Sequence, residues 1–160
     1  MGSLILFSGG WESVFCYLKN KNKKDTTCLF LDYGQPYLKE ERVAVAVLKK
    51  SLLLNVIERK VPLIKQKKGT FLKRNRTFFN LASNFNPDEI VFGTRNIFPF
   101  FDKHGDSNLW FARKEAKRIG IPIRTPAAGL LKAQIKKTVL NAGISEEQIF
   151  SSEGYNYGNL

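Results

Sequence analysis

Leu4-Ile5-Leu6-Phe7-Ser8-Gly9-Gly10-Trp11-Glu12-Ser13 is the stretch that decides the architecture. Four apolar residues in a row read as a short strand buried on both faces. Two adjacent glycines interrupt the run, and a helix-compatible segment begins at once at Trp11. A strand that feeds a helix through a glycine bend is the first half of a βαβ unit. The bend also has the makings of an anion cradle. Glycine admits backbone angles closed to other residues and lets an oxyanion approach main-chain N–H groups. A helix beginning near Trp11 aims its free N–H groups and positive dipole end at the same point. Ser8 and Ser13 add hydroxyls. The pattern is neither Gly-x-x-x-x-Gly-Lys nor Gly-x-Gly-x-x-Gly. The plainer reading of the same residues is a turn joining a buried strand to a helix.

Outward from this segment, strand and helix patterns alternate. Residues 11–20 read as helix, Thr26–Leu31 as a β-branched and apolar strand, and Tyr37–Leu53 as a helix. That helix carries Glu40 and Glu41 in its first turn and Lys49 and Lys50 in its last, the polarity its dipole favours. Asn55–Val61 is a third strand closed by Pro62, and the basic residues 65–74 form a loop. Phe78, Leu81, Ala82 and Phe85 fall on one helical face over 76–85. Glu89–Phe92 is a strand running into Gly93. Leu109, Ala112, Ala116 and Ile119 share a helix face over 107–119, ended by Gly120. Pro122–Thr125 is a short last strand; Leu131, Ile135 and Val139 stripe a last helix stopped by Gly143. The expected fold class is therefore α/β, with a twisted parallel sheet, helices on both faces and right-handed crossovers. In such sheets ligands lie beyond the strands' carboxyl ends, where strand order reverses. The Ser8–Ser13, Asp32–Gln35 and Gly93 loops all leave strand ends and should crowd one edge.

With 160 residues, 43% of them hydrophobic and 25% charged, the chain suits one soluble domain with a single good core. No apolar stretch approaches the roughly 20 residues of a membrane span. The N-terminus lacks the basic start and cleavage site of a signal peptide, so a cytoplasmic location is expected. Cys16 and Cys28 sit in apolar settings and are expected to be buried free thiols. His104 has no Cys or His neighbour with which to anchor zinc. Lys plus Arg outnumber Asp plus Glu by 26 to 14, a net charge of +12. That excess, clustered at Lys19–Lys24, Lys65–Arg76 and Arg113–Lys137, points to a strongly anionic ligand or to nucleic acid; a solvated surface is the alternative.

Several segments in order resemble one family. Ser8-Gly9-Gly10-Trp11-Glu12-Ser13 is similar to the Ser-Gly-Gly-x-Asp-Ser loop of the ATP pyrophosphatases, the PP-loop superfamily. Leu31-Asp32-Tyr33-Gly34-Gln35, Arg74-Asn75, and Ile90-Val91-Phe92-Gly93 followed by Asp102 and Gly105-Asp106 resemble segments of 7-cyano-7-deazaguanine synthase. Pro126, Lys132 and Ile135 fit its order and spacing, so the likeness spans residues 1–150 as one domain. It implies a Rossmann-like fold of the adenine nucleotide alpha hydrolase type. It also implies ATP and Mg²⁺ as cofactors, and adenylation of a 7-deazapurine carboxylate followed by amidation and nitrile formation. Two departures stand out. Glu12 replaces the family's aspartate, reaching one methylene further. Ser151-Ser152-Glu153-Gly154-Tyr155, in a polar tail over 151–160, stands where the family carries four zinc-binding cysteines, so no zinc is expected.

The resemblance implies ATP contacts at Ser8, Gly9, Gly10, Trp11, Glu12, Ser13, Asp32, Tyr33, Gln35, Arg74, Asn75, Gly93, Thr94 and Lys132. Ser8, Glu12, Ser13, Arg74 and Asp106 are the candidate catalytic residues, and Glu12, Asp102 and Asp106 the candidate Mg²⁺ ligands. Each has a structural alternative. Trp11 suits a core anchor, Asp32 a turn in which it bonds its own backbone, and Asn75 and Asp106 helix N-caps. Expected partners are a deazapurine-like small molecule, nucleic acid through the basic surface, and a second copy in a homodimer; no membrane is expected.

Overall fold

The computed structural model describes residues 1–63, 73–99 and 105–152. Five strands form one fully parallel sheet: β1 (Ser3–Leu6), β2 (Thr26–Asp32), β3 (Val56–Lys60), β4 (Glu89–Val91) and β5 (Ile123–Arg124). Their order across the sheet is β3-β2-β1-β4-β5, with Ile5 of β1 level with Cys28 on one side and Val91 on the other. Helices α1 (Trp11–Lys19), α2 (Leu38–Leu52), α3 (Arg74–Ser83), α4 (Leu109–Ile119) and α5 (Lys132–Asn141) supply the crossovers and flanks. The α/β class expected from the alternation, Rossmann-like as the resemblance implies, is what the chain adopts. The elements differ from the sequence reading mainly by a residue or two at their ends, where helices fray and caps decide.

Side-chain alternation along the strands separates two cores. Leu4, Leu29, Leu31 and Ile90 face one layer with Phe78, Phe79, Ala82 and Ala112 of α3 and α4. Ile5, Cys28, Phe30 and Val91 face the other, with Val14 and Phe15 of α1, Val45 and Leu48 of α2, and Ile135 and Val139 of α5. Strands covered on both faces must be apolar nearly throughout, and six consecutive residues of β2 are buried. The edge strand β3 instead carries exposed Glu58, Arg59 and Lys60, which discourages pairing with another sheet.

Three sequence expectations are corrected here. Asp106 does not cap α4: Asn108 does, its side chain accepting from the Phe111 N–H at 2.9 Å. Asn75 does not cap α3 either; it lies inside the helix, buried, and donates to the Asp106 carbonyl at 2.8 Å. Leu131 does not belong to the apolar stripe of α5. It is the residue before the helix and is largely exposed, while Ile135 and Val139 are fully buried.

A candidate anion site at the sheet's switch point

Strand order reverses between β1 and β4, since β1 connects toward β2 and β4 toward β5. The loops after these two strands must diverge, and the gap between them is where a ligand fits. Ser8, Gly9 and Gly10 leave β1 at this point, and Gly93 and Thr94 leave β4. Gly9 has φ +80°, and a Cβ on it would lie 3.2 Å from the Ala44 methyl of α2. Both the angle and the close approach call for glycine. Gly93 is needed for contact: a Cβ there would lie 3.2 Å from the Glu12 Cβ.

The bend holds itself together with its serines. Ser13 Oγ donates to the Gly10 carbonyl at 3.1 Å and accepts from the Ser8 N–H at 3.3 Å, and Ser8 Oγ accepts from the Gly10 N–H. The first main-chain bond of α1 runs from the Val14 N–H to the Gly10 carbonyl. Among the described residues the N–H groups of Trp11, Glu12 and Ser13 have no acceptor. These orphan donors, with the helix dipole behind them, are a fit for an anion.

Two adjoining cavities open here, of about 220 Å³ and about 110 Å³, sharing Ser8, Glu12, Glu41 and Ser152 on their walls. Together they reach the lower end of the roughly 300–1,000 Å³ typical of small-molecule sites. The larger is floored by Phe7, Leu31, Tyr33, Phe78 and Phe92, with Arg74 and Asn75 at its side. The Arg74 guanidinium sits 5.9 Å from the centres of both the Tyr33 and Phe78 rings. The smaller is bounded by Gly10, Trp11, Lys132 and Phe150 to Ser152.

Glu12 is held between two cations, accepting from Lys132 Nζ at 2.7 Å and lying 3.2 Å from Arg95 Nε. The carboxylate is therefore over-neutralised. With Arg74, three cations face one fixed negative charge among the described residues. Glu41, on α2, adds little more. Burial pushes its carboxyl up to about 7, against the lowering effects of the Gln35 amide that donates to it at 2.7 Å and of Arg74. Below that pH it is mostly neutral.

The other sequence candidates take structural positions around this core. Asp32 accepts from the Gly34 N–H at 3.1 Å and pairs with Arg42 at 3.1 Å. The buried Gln35 is bonded by the Tyr33 N–H, the Leu31 carbonyl and Glu41. Both thus shape the second loop. Trp11 is only 4% exposed and packs in the α1–α2–α5 core, with the Lys136 ammonium 5.3 Å from its ring centre. Thr94 is buried and donates to the Ser107 carbonyl at 2.7 Å, tying the β4 loop to the α4 entry. Asp102 lies outside the described residues, as do His104, residues 65–72 of the expected basic loop, and the tail after Ser152. Among the described residues no group of three His, Cys, Asp or Glu is placed to hold a metal ion. Mg²⁺ fits this set only as a partner of a bound phosphate, keeping most of its waters. No helix among the described residues is long and apolar enough to cross a membrane.

The sequence reading missed Arg95 and Glu41, and left open the course of residues 149–152, which form a strap at the site. Arg95 lies two residues beyond Gly93, on the divergent loop where the switch-point rule places ligand contacts. Glu41 read as an ordinary first-turn acid, and nothing local distinguishes it from its exposed neighbour Glu40. The strap lies against the bend, the Phe150 N–H donating to the Gly9 carbonyl at 3.1 Å. Its Phe150 ring is 5.5 Å from that of Tyr37.

No family model matches the chain, and no curated protein does. Among solved structures it is similar to the crystal structure of a predicted subunit of tRNA methyltransferase from Methanocaldococcus jannaschii. The TM-score is 0.54 at 15% identity, covering 94% of this chain and 92% of that one. At this identity the likeness establishes the shared fold over nearly the whole of both chains.

Proposed function

We propose that this protein binds ATP at the switch point and uses it to activate an acceptor, releasing AMP and pyrophosphate. The observation that carries this reading is the β1–α1 bend: three orphan N–H groups at a helix start, facing a cavity with a cationic surplus. Its sequence, Ser8-Gly9-Gly10-Trp11-Glu12-Ser13, is also the segment most similar to the ATP pyrophosphatase loop.

Bound ATP would supply an α-phosphorus open to attack with pyrophosphate as leaving group. The protein's contribution is electrostatic and positional. The Trp11, Glu12 and Ser13 N–H groups receive the pyrophosphate oxygens, and Lys132 and Arg95 balance charge beside them. Glu12 holds those two cations in place. Arg74, braced on the Tyr33 and Phe78 rings, offers a forked donor to an acceptor carboxylate. The apolar floor suits a flat heterocycle.

The finer reading, supported by the resemblance of the second and third segments, is a 7-deazapurine carboxylate converted through an amide to a nitrile with ammonia. The second reading, an acceptor base within RNA, is favoured by the +12 charge and by the structural neighbour's description as a predicted subunit of tRNA methyltransferase. Purified protein with ATP, Mg²⁺, ammonia and a 7-deazaguanine carboxylate should release pyrophosphate, and the Arg74→Ala variant should lose that release. ATP binding without pyrophosphate release from any carboxylate or RNA acceptor would leave a nucleotide-binding regulator instead. Absence of ATP binding would remove the reading altogether.

A further inference from the structure

The cationic clusters do not all lie where an acceptor presented to the site would need them. Lys19 to Lys24 follow the C-terminal end of α1 and precede β2, so they occupy the sheet edge opposite the switch point. Lys19 and Lys23 there lie over the Phe15 and Tyr17 rings. Helix α4 is differently placed. In a parallel α/β unit each helix runs back against its strands, so the start of α4 lies at the same edge as the anion site and its end at the far one.

Two large aromatic side chains meet at that start. Phe98 of the β4 loop and Trp110 of α4 have ring centres 6.0 Å apart and planes 27° from parallel, and both are about half exposed (46% and 50%). Ordered backbone holds them. The Leu109 N–H donates to the Asn96 carbonyl at 2.9 Å, the Trp110 N–H to the Ile97 carbonyl, and the Gly129 N–H to the Arg95 carbonyl at 2.8 Å. The loop that carries Phe98 therefore also carries Arg95, the partner of Glu12.

Trp110, Arg113, Lys114 and Lys117 then fall at i, i+3, i+4 and i+7, one exposed face of α4. Among the described residues no carboxylate pairs with Arg113, Lys114 or Lys117. Glu115, the helix's acid, is buried on another face and engages Arg76 and Arg118. A stacked aromatic pair heading a row of unpaired cations is poorly explained as a solvated surface, because exposing a tryptophan face to water has no benefit of its own.

We propose that Phe98, Trp110 and the Arg113–Lys114–Lys117 face bind an unpaired stretch of RNA. A base would stack on the Phe98–Trp110 platform and the following phosphates would run along the cations. The chemistry requires both halves. Stacking needs a base face that a duplex keeps covered, and RNA loops present such bases. From Arg113 to Lys117 the cations span about 6 Å of the helix axis, and their long side chains reach beyond it, so they can follow consecutive phosphates of one short strand. The surface is separate from the Ser8–Ser13 bend, so it stands or falls independently of ATP binding.

The test is titration of a labelled RNA hairpin with an unpaired loop, against a fully paired RNA of the same composition and a single-stranded DNA of the same sequence. Tryptophan emission is followed alongside anisotropy. The chain has two tryptophans, and Trp11 is buried, so quenching on binding reports Trp110. Expected are tighter binding of the hairpin than of either control, quenching that disappears in Trp110→Ala, and a loss of affinity of about tenfold or more in that variant. Arg113→Ala/Lys114→Ala/Lys117→Ala should reduce the salt dependence by about two in log–log slope, near 0.7 per lost phosphate contact. All substituted positions are exposed, and unchanged melting temperatures confirm that the variants fold. Equal binding of duplex and hairpin, tighter binding of the DNA, or hairpin affinity unchanged in both variants would each overturn the assignment. ATP binding, measured without RNA, should be the same in wild type and Trp110→Ala.

Discussion

Replacing Glu12 by glutamine tests how the anion site is balanced. The carboxylate accepts from Lys132 at 2.7 Å and lies 3.2 Å from Arg95, with side-chain exposures of 24%, 21% and 36% respectively. These pairs lie between two limits. An exposed pair contributes about 0–1 kcal/mol, whereas removing one partner of a fully buried pair costs about 3–5 kcal/mol. A three-quarters buried carboxylate holding two cations should therefore be worth about 1–2 kcal/mol. For a chain of this length that is a fall in melting temperature of about 2–8 °C. The same change removes the Glu12 charge from beside Lys132 and Arg95, so affinity for inorganic pyrophosphate should rise while stability falls. Thermal melts of wild type, Glu12→Gln, Lys132→Met and the double variant measure the pair directly, and the cycle should give a coupling of about 1 kcal/mol. Calorimetric titration with pyrophosphate supplies the second readout. Zero coupling, or weaker pyrophosphate binding in Glu12→Gln without Mg²⁺, would refute the view that Glu12 positions the site's cations.

Glu41 makes stability depend on pH in an unusual direction. Its folded value of about 7 exceeds the ordinary 4.5, so the native state holds a proton that the unfolded chain has released. That contribution is complete below about pH 4.5 and is lost as pH rises through 7. The shift corresponds to roughly 3 kcal/mol. Wild type should lose stability between pH 5 and 8 and Glu41→Gln should not; parallel curves would show that Glu41 ionises freely. The cysteines are the third case. Burial pushes both Cys16 and Cys28 up to about 12. The thiolate is the reactive form, so neither should react with a thiol reagent at pH 8 until denaturant opens the fold. Rapid labelling of the native protein would place one of them at the surface.

Much of the fold was legible because parallel strands covered on both faces have to be apolar nearly throughout, and Leu4–Phe7 and Thr26–Leu31 satisfy that requirement. Helix dipole polarity and the glycine stop at Gly120 added bounds good to a residue or two. Caps were harder to read. Asp106 and Asn108 are both good capping residues two positions apart, and only the path of the β4 loop selects Asn108. Leu131 matched the period of α5 yet lies before the helix begins, because periodicity says nothing about where a chain turns in.

By itself the sequence determined the alternation of strands and helices, the glycine bend after β1 and the surplus of positive charge. These depend on neighbours within a few residues, through backbone sterics, amphipathic period and formal charge. Tertiary structure decided the strand order that makes β1 and β4 diverge, the meeting of Glu12 with Lys132 across 120 residues, and the seat of Phe150 against Gly9. It also decided that Glu41 would be buried and Glu40 not. Contacts between distant segments are fixed by how two faces of one sheet fill with side chains, and that packing is a property of the whole chain.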